Sequence, residues 1–133
     1  MLYSIRMDEL FFRGIREFNE GKFFEAHDSF EEIWQGYREP DREFLQGLIQ
    51  AAVGLYHLEH RNLRGARSQL SKACSKLTAY RPEHRGLSVD LLFASLQRHL
   101  GVLEANRERG VEGFEILDRP RIQFSSGIDQ SIA

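Results

Sequence analysis

Between Phe44 and Leu58 the sequence holds no Asp, Glu, Lys or Arg. Wound at about 3.6 residues per turn, its apolar side chains cover nearly every side of a helix. Phe44, Leu45, Leu48, Ile49, Ala51, Ala52, Val53, Leu55, Tyr56 and Leu58 leave only a narrow polar line of Gln46, Gln50 and His57. The run is shorter than the roughly 18 apolar residues that suggest a membrane span. A helix of this kind is stable in water only when other helices surround it, so residues 41–61 are expected at the centre of a helical bundle. Gly47 and Gly54 share one face of that helix. Each weakens it by about 1 kcal/mol relative to Ala, and close approach of a neighbouring helix is the expected compensation.

Helical spacing recurs along the rest of the chain, and no sustained alternation bounded by turn signals marks a strand. Leu10, Phe11, Gly14, Ile15 and Phe18 stripe a first helix over residues 7–19, which Asn19 and Gly21 end. A second helix spans 22–37, closed ahead of Pro40. A fourth, over 63–79, buries Leu63, Ala66, Leu70, Ala73, Cys74 and Leu77 in a narrow stripe and shows solvent its other side. After a loop at 80–86, Ser88 is placed to cap a fifth helix whose core side is Val89, Leu92, Phe93, Leu96, Leu100 and Leu103. Short connections make successive helices antiparallel neighbours. The expected fold is all-α: a five-helix bundle of antiparallel hairpins, one domain over residues 1–109, with an extended C-terminal arm at 110–133 packed on it. Phe114, Ile116, Leu117, Ile122 and Phe124 are the expected anchors of the arm. Laying Ala26 on Ala66, an offset of 40, also matches Phe30 with Leu70 and Ile33 with Ala73. That is a weakly tetratricopeptide-like repeat of two hairpins.

A net charge of −2 hides an asymmetry: residues 1–60 hold 6 Lys/Arg against 12 Asp/Glu, and residues 61–133 hold 12 against 8. The run from Arg61 to Arg85 has seven basic residues and one acid, Glu83. No aromatic residue interleaves with it before Tyr80 and no nucleic-acid motif appears, so it reads as a solvated helix face partly paired with the acidic first half. A nucleic-acid partner is disfavoured. The single cysteine, Cys74, has no internal disulfide partner and lies on an apolar stripe, which suits a core residue better than a nucleophile. The opening MLYSIRMDEL lacks the apolar run of a secretory signal, so a cytoplasmic protein without a membrane segment is expected.

The chemistry gathers on the second helix, in "FFEAHDSFEEIW" at residues 23–34. Phe23, Ala26, Phe30, Ile33, Trp34 and Tyr37 form its stripe, His27 lies at the edge, and Glu31 lies just beyond beside Phe24. Glu25, Asp28 and Glu32 are expected to point to water. His27 and Glu31, four apart, share a face on which they can hydrogen-bond or hold a common ligand. If the polar line of the third helix faces the second, His27, Glu31, Gln50 and His57 converge in a semi-buried cluster beside Trp34. Buried polar groups need partners, so the cluster is a self-satisfied network, a site for a small molecule or protein partner, or a divalent metal site. In the last reading His27, Glu31 and His57 are the ligands of a metal-dependent hydrolase or oxidoreductase, with one position open to water. The bare H-x-x-x-E spacing is far less specific than H-E-x-x-H. His60, His84 and His99 are expected at the surface, in a loop and at a helix edge, without a role.

The stretch "FNEGKFFEAHDSFEEIW" followed by "REFLQGLIQAAVGLYHLEHRNLRGARSQL" resembles the small bacterial proteins grouped as domain of unknown function 309, over about residues 16–78. The resemblance implies an all-α fold and a pattern that includes Glu25, His27, Glu31, Trp34, Gln46, Gln50, His57, Asn62 and Gly65. Asp28 stands where Glu is usual. The family brings no assigned reaction. The expected function is a binding module for a small ligand or a protein partner, using Glu25, His27, Glu31, Trp34, Gln46, Gln50 and His57. The metal-dependent enzyme is the competing expectation.

Overall fold

The computed structural model describes residues 2–107 and 118–125. Among them the chain forms five α-helices: α1 (Leu2–Asn19), α2 (Phe23–Gly36), α3 (Arg42–Glu59), α4 (Leu63–Leu77) and α5 (Val89–Ala105). The all-α bundle is the one that the periodicity predicts. One boundary moves substantially, since α1 begins at Leu2 rather than at residue 7. No Gly or Pro precedes Met7, so nothing local interrupts the helix. Two caps are side-chain made: Asn62 Oδ1 accepts the Gly65 N–H at 3.0 Å, and Ser88 Oγ accepts the Leu91 N–H at 3.3 Å.

Helix α3 is the centre, packed against α2 on one side and most extensively against α4 on the other. Its glycines permit the close approach expected of them. A Cβ on Gly54 would fall 2.7 Å from the Leu70 side chain and 3.1 Å from the Leu70 backbone nitrogen, and one on Gly47 would fall 2.9 Å from Leu77. The α1–α2 hairpin is locked in the same way, because a Cβ on Gly14 would lie 2.5 Å from the Phe30 ring. Gly14 and Phe30 stand at the offset of 40 from Gly54 and Leu70. In both hairpins a large residue of the second helix lies across a glycine of the first, and Ala26 and Ala66, each 0% exposed, sit one turn before it.

The expected loop at 80–86 has structure. A 3-10 turn at Thr78–Tyr80 leads to β1 (Glu83–His84), paired antiparallel with β2 (Leu87–Ser88). Arg85 and Gly86 turn the hairpin with φ of 51° and 77°, both positive as a tight two-residue hairpin turn requires. Strands this short carry no alternation to detect. Residues 118–125 run along the hairpin: Leu87 bridges Phe124, the Ser88 N–H donates to Gln123 O at 2.8 Å, and the Ser125 N–H donates to Gly86 O at 2.9 Å. The Asn19 amide then holds Ile122 from both sides, accepting its N–H at 2.7 Å and donating to its carbonyl at 2.9 Å. Ile122 is buried. Phe114, Ile116 and Leu117 lie outside the described residues. No described helix is long and apolar enough to cross a membrane.

Candidate functional site

On α2 the i,i+4 spacing does what helical geometry dictates, placing His27 Nε2 at 2.7 Å from Glu31 Oε2. The other ring nitrogen, Nδ1, lies 3.2 Å from Asp28 Oδ1. Each nitrogen of the imidazole therefore faces a carboxylate, and Asp28, exposed to water as expected, also reaches the ring. One ligand atom from each of His27, Asp28 and Glu31 lies within 4.8 Å of the others. The His27 side chain is 24% exposed and that of Glu31 39%, so the pair is half-open to solvent. Phe24 flanks it, its ring 5.8 Å from His27 and 5.6 Å from Tyr56 of α3.

One turn further along α2, the Arg42 guanidinium stacks 3.7 Å from the centre of the Trp34 ring. It is fixed there by donating to Tyr37 O at 2.9 Å and Trp34 O at 3.2 Å. Two polar atoms on these facing helices, Trp34 Nε1 and Gln50 Oε1, are buried with no hydrogen-bond partner among the described residues. Gln46 is half-buried, whereas Glu25 is exposed in the first turn of α2, where its charge complements the helix dipole. His57 is turned to a different task. Its Nδ1 accepts from Asn62 Nδ2 at 3.3 Å, and a Cβ on Gly65 would come within 3.0 Å of its ring. His57, Asn62 and Gly65 thus build the α3–α4 corner, and His57 is not among the ligand atoms gathered at His27. It follows Gln50 by two turns, about 10 Å along the axis.

A second polar cluster was not legible in the sequence. Asp41, in the α2–α3 turn, accepts from the Tyr37 hydroxyl at 2.5 Å through Oδ1, and through Oδ2 from His84 Nε2 at 2.8 Å and Arg85 Nε at 2.9 Å. Arg85 Nη2 closes the set by donating to the Tyr37 oxygen at 2.6 Å. Burial by itself would raise the Asp41 carboxyl, but the three donors outweigh it and hold it at about 2. Burial, helped by the neighbouring carboxylate, pushes the Tyr37 phenol up to about 12. His84, expected in a loop without a role, stands with its ring 4.6 Å from Phe44 and 4.8 Å from Tyr80. His99, expected at a helix edge, is 2% exposed and donates Nδ1–H to Ser95 O, and its burial lowers its pKa. Cys74 is buried as expected, which pushes its thiol up to about 11 against the opposing hydrogen bond with Gln97. Of the basic run, Lys76 pairs with Glu43 at 4.0 Å, Arg81 with Asp90 at 2.6 Å and Arg85 with Asp41.

Among curated proteins, the chain is similar to an uncharacterized protein of Aquifex aeolicus (strain VF5), 26% identical over 87 residues. The match takes in 65% of this chain and 26% of the relative, so the chain spans about a quarter of the length of the curated relative it matches. The family model for Domain of unknown function (DUF309) matches residues 11–69. That stretch, which carries His27, Glu31, Trp34, Gln50 and the His57–Asn62 corner, is where the chain is similar to the domain of unknown function family.

Proposed function

We propose that the protein is a binding module whose site is the face shared by α2 and α3, where His27, Glu31, Trp34 and Gln50 meet a small ligand. The observation that carries this reading is that two of the three buried side-chain atoms without a partner among the described residues lie on α2 and α3, the third being Ser95 Oγ on α5. Trp34 Nε1 can only donate and Gln50 Oε1 can only accept. Leaving each unsatisfied costs about 1–3 kcal/mol, which a molecule offering one acceptor and one donor would recover. A network serving stability alone would satisfy its own members. Trp34 is the single tryptophan of the chain, so its emission reports directly on the site. A thermal-shift screen of metabolites, followed by Trp34 fluorescence, finds the ligand, since one present at 100 times its dissociation constant adds about 2.7 kcal/mol. Gln50→Met keeps the shape and removes one orphaned atom, and Trp34→Phe removes the other together with part of the ring that Arg42 stacks on, so its response is read by thermal shift alone. Gln50→Met should melt at or above the wild-type midpoint, and both variants should lose the ligand response. A loss of about 1 kcal/mol or more in Gln50→Met would mean that its oxygen is already partnered, and would sink the reading.

The cluster within 4.8 Å at His27 supports a second reading, a divalent metal held by His27, Asp28 and Glu31. A bound divalent ion would lower the pKa of a coordinated water, as a hydrolase needs. Metal content of protein purified without chelator decides it: about one equivalent, lost in His27→Ala, supports the site, and trace metal unaffected by that substitution removes it.

A further inference from the structure

None of the residues around His27 lines a cleft of about 550 Å³ between α1, the α2–α3 turn and the tip of the β-hairpin. Openings of this size suit small ligands. Its floor is apolar, made by Phe11, Ile33 and Leu45, each at most 5% exposed. One wall is Arg85, and its position is held twice over. The backbone turns there with a positive φ of 51°, a left-handed region unfavourable for a non-glycine residue. The side chain is then anchored by Asp41 at Nε and by Tyr37 at Nη2.

We propose that this cleft binds a small monocarboxylate with an apolar body, whose carboxylate is received by Arg85. Of the five N–H groups of a guanidinium, two are spent on Asp41 and Tyr37. The rest have no acceptor among the described residues and belong to a side chain that lines the cleft. Asp41 cannot compete for the ligand's role, because both its oxygens are already engaged by Tyr37, His84 and Arg85. A planar carboxylate matches the planar guanidinium, and its hydrocarbon body matches the floor. The charge balance sets the limit on the anion. Asp8, Glu39 and Asp41 line the cleft against Arg38 and Arg85, a formal balance of −1, which repels a dianion such as phosphate about twice as strongly as a single delocalised charge.

The test uses 3-phenylpropionate and 4-methylpentanoate, with 3-phenylpropanol and inorganic phosphate as contrasts, read by NMR on the isotopically labelled full chain. Both carboxylates should shift the Ile33 and Leu45 methyl signals and the Arg85 side-chain N–H signal. The alcohol should bind about tenfold or more weakly for want of the charge-assisted pair, and phosphate should shift nothing in the cleft. Arg85→Lys keeps the charge, loses the fork, and should weaken both acids about tenfold. Because Arg85 also anchors the hairpin, two variants away from the anchor keep the test decisive. Met7→Trp, which fills the cleft from α1, should abolish binding, and Asp8→Asn, which removes a repelling charge, should tighten it. Equal binding of acid and alcohol, shifts at phosphate, indifference to Met7→Trp, or no shift at about 10 mM of either carboxylate would each overturn the proposal.

Discussion

In the α1–α2 hairpin Phe30 lies over Gly14, and in the α3–α4 hairpin Leu70 lies over Gly54, at the same offset along the chain. The offset also sets His27, Glu31 and Trp34 of α2 against Arg67, Ser71 and Cys74 of α4. The two second helices therefore solve one packing problem with one lock, while their remaining faces differ in kind. On α4 these positions hold a half-buried arginine, an exposed serine and a buried thiol. On α2 they hold an imidazole–carboxylate pair and an indole whose N–H has no partner among the described residues. Since α4 packs without such groups, packing does not explain why α2 has them. That is the structural argument for looking at α2, rather than α4, for a function.

The lock itself is the place to break the equivalence, with the largest effects. Phe30→Ala should cost about 3–5 kcal/mol and Leu70→Ala about 2–5 kcal/mol, measured by denaturant unfolding, since both side chains are fully buried. Gly14→Ala and Gly54→Ala should each cost about 1–3 kcal/mol by overpacking. A neutral Gly14→Ala beside a costly Gly54→Ala would show that the hairpins are only superficially alike.

Asp41 lies in the turn between the two hairpins and ties both to the β-hairpin. Its carboxyl is held near 2, below the unfolded value of about 3.9, so the folded state resists its protonation. The resulting stability, about 2 kcal/mol, is present above pH ~4 and drains away as the pH falls towards ~2. Asp41→Asn should therefore be less stable than wild type at neutral pH by about this amount, and unfolding curves collected at falling pH should show the gap closing. A gap independent of pH would mean that the charge is not what counts.

Smaller effects sharpen the contrast between α2 and α4. His27→Ala breaks a half-exposed pair and should cost less than about 1 kcal/mol, no more than Arg67→Ala on α4. A cost above about 2 kcal/mol would make the His27–Glu31 pair a structural device. Cys74, whose thiol sits at about 11, should resist alkylation near pH 8 in the native protein and react on unfolding, with no change in stability needed to see it. Rapid native labelling would show that α4 opens where α2 does not.

Legibility in the sequence followed the range of the interaction. The apolar run of α3, the cap at Ser88, and the His27–Glu31 pair were readable because each depends on neighbours within about one turn, whose geometry the helix fixes. Even the repeat was visible, though only the packing showed that its glycines are the matching half of each lock. His57 was misplaced because facing the right way around a helix says nothing about height along it. The turn at "REPD" read as punctuation, yet Asp41 collects partners 43 and 44 positions away.

The sequence by itself determined five amphipathic or fully apolar helices, their order and the identity of the one that must lie in the middle, because periodicity of burial is a local property. Only the tertiary structure decided which polar atoms are left over and which are shared. The orphaned Trp34 and Gln50, the Asp41–Arg85–His84 cluster and the clamp of Asn19 on Ile122 all depend on how far one helix slides along another and where a distant turn lands. A shift of a single turn, about 5.4 Å, leaves the apolar stripes in contact but would exchange every one of those partners.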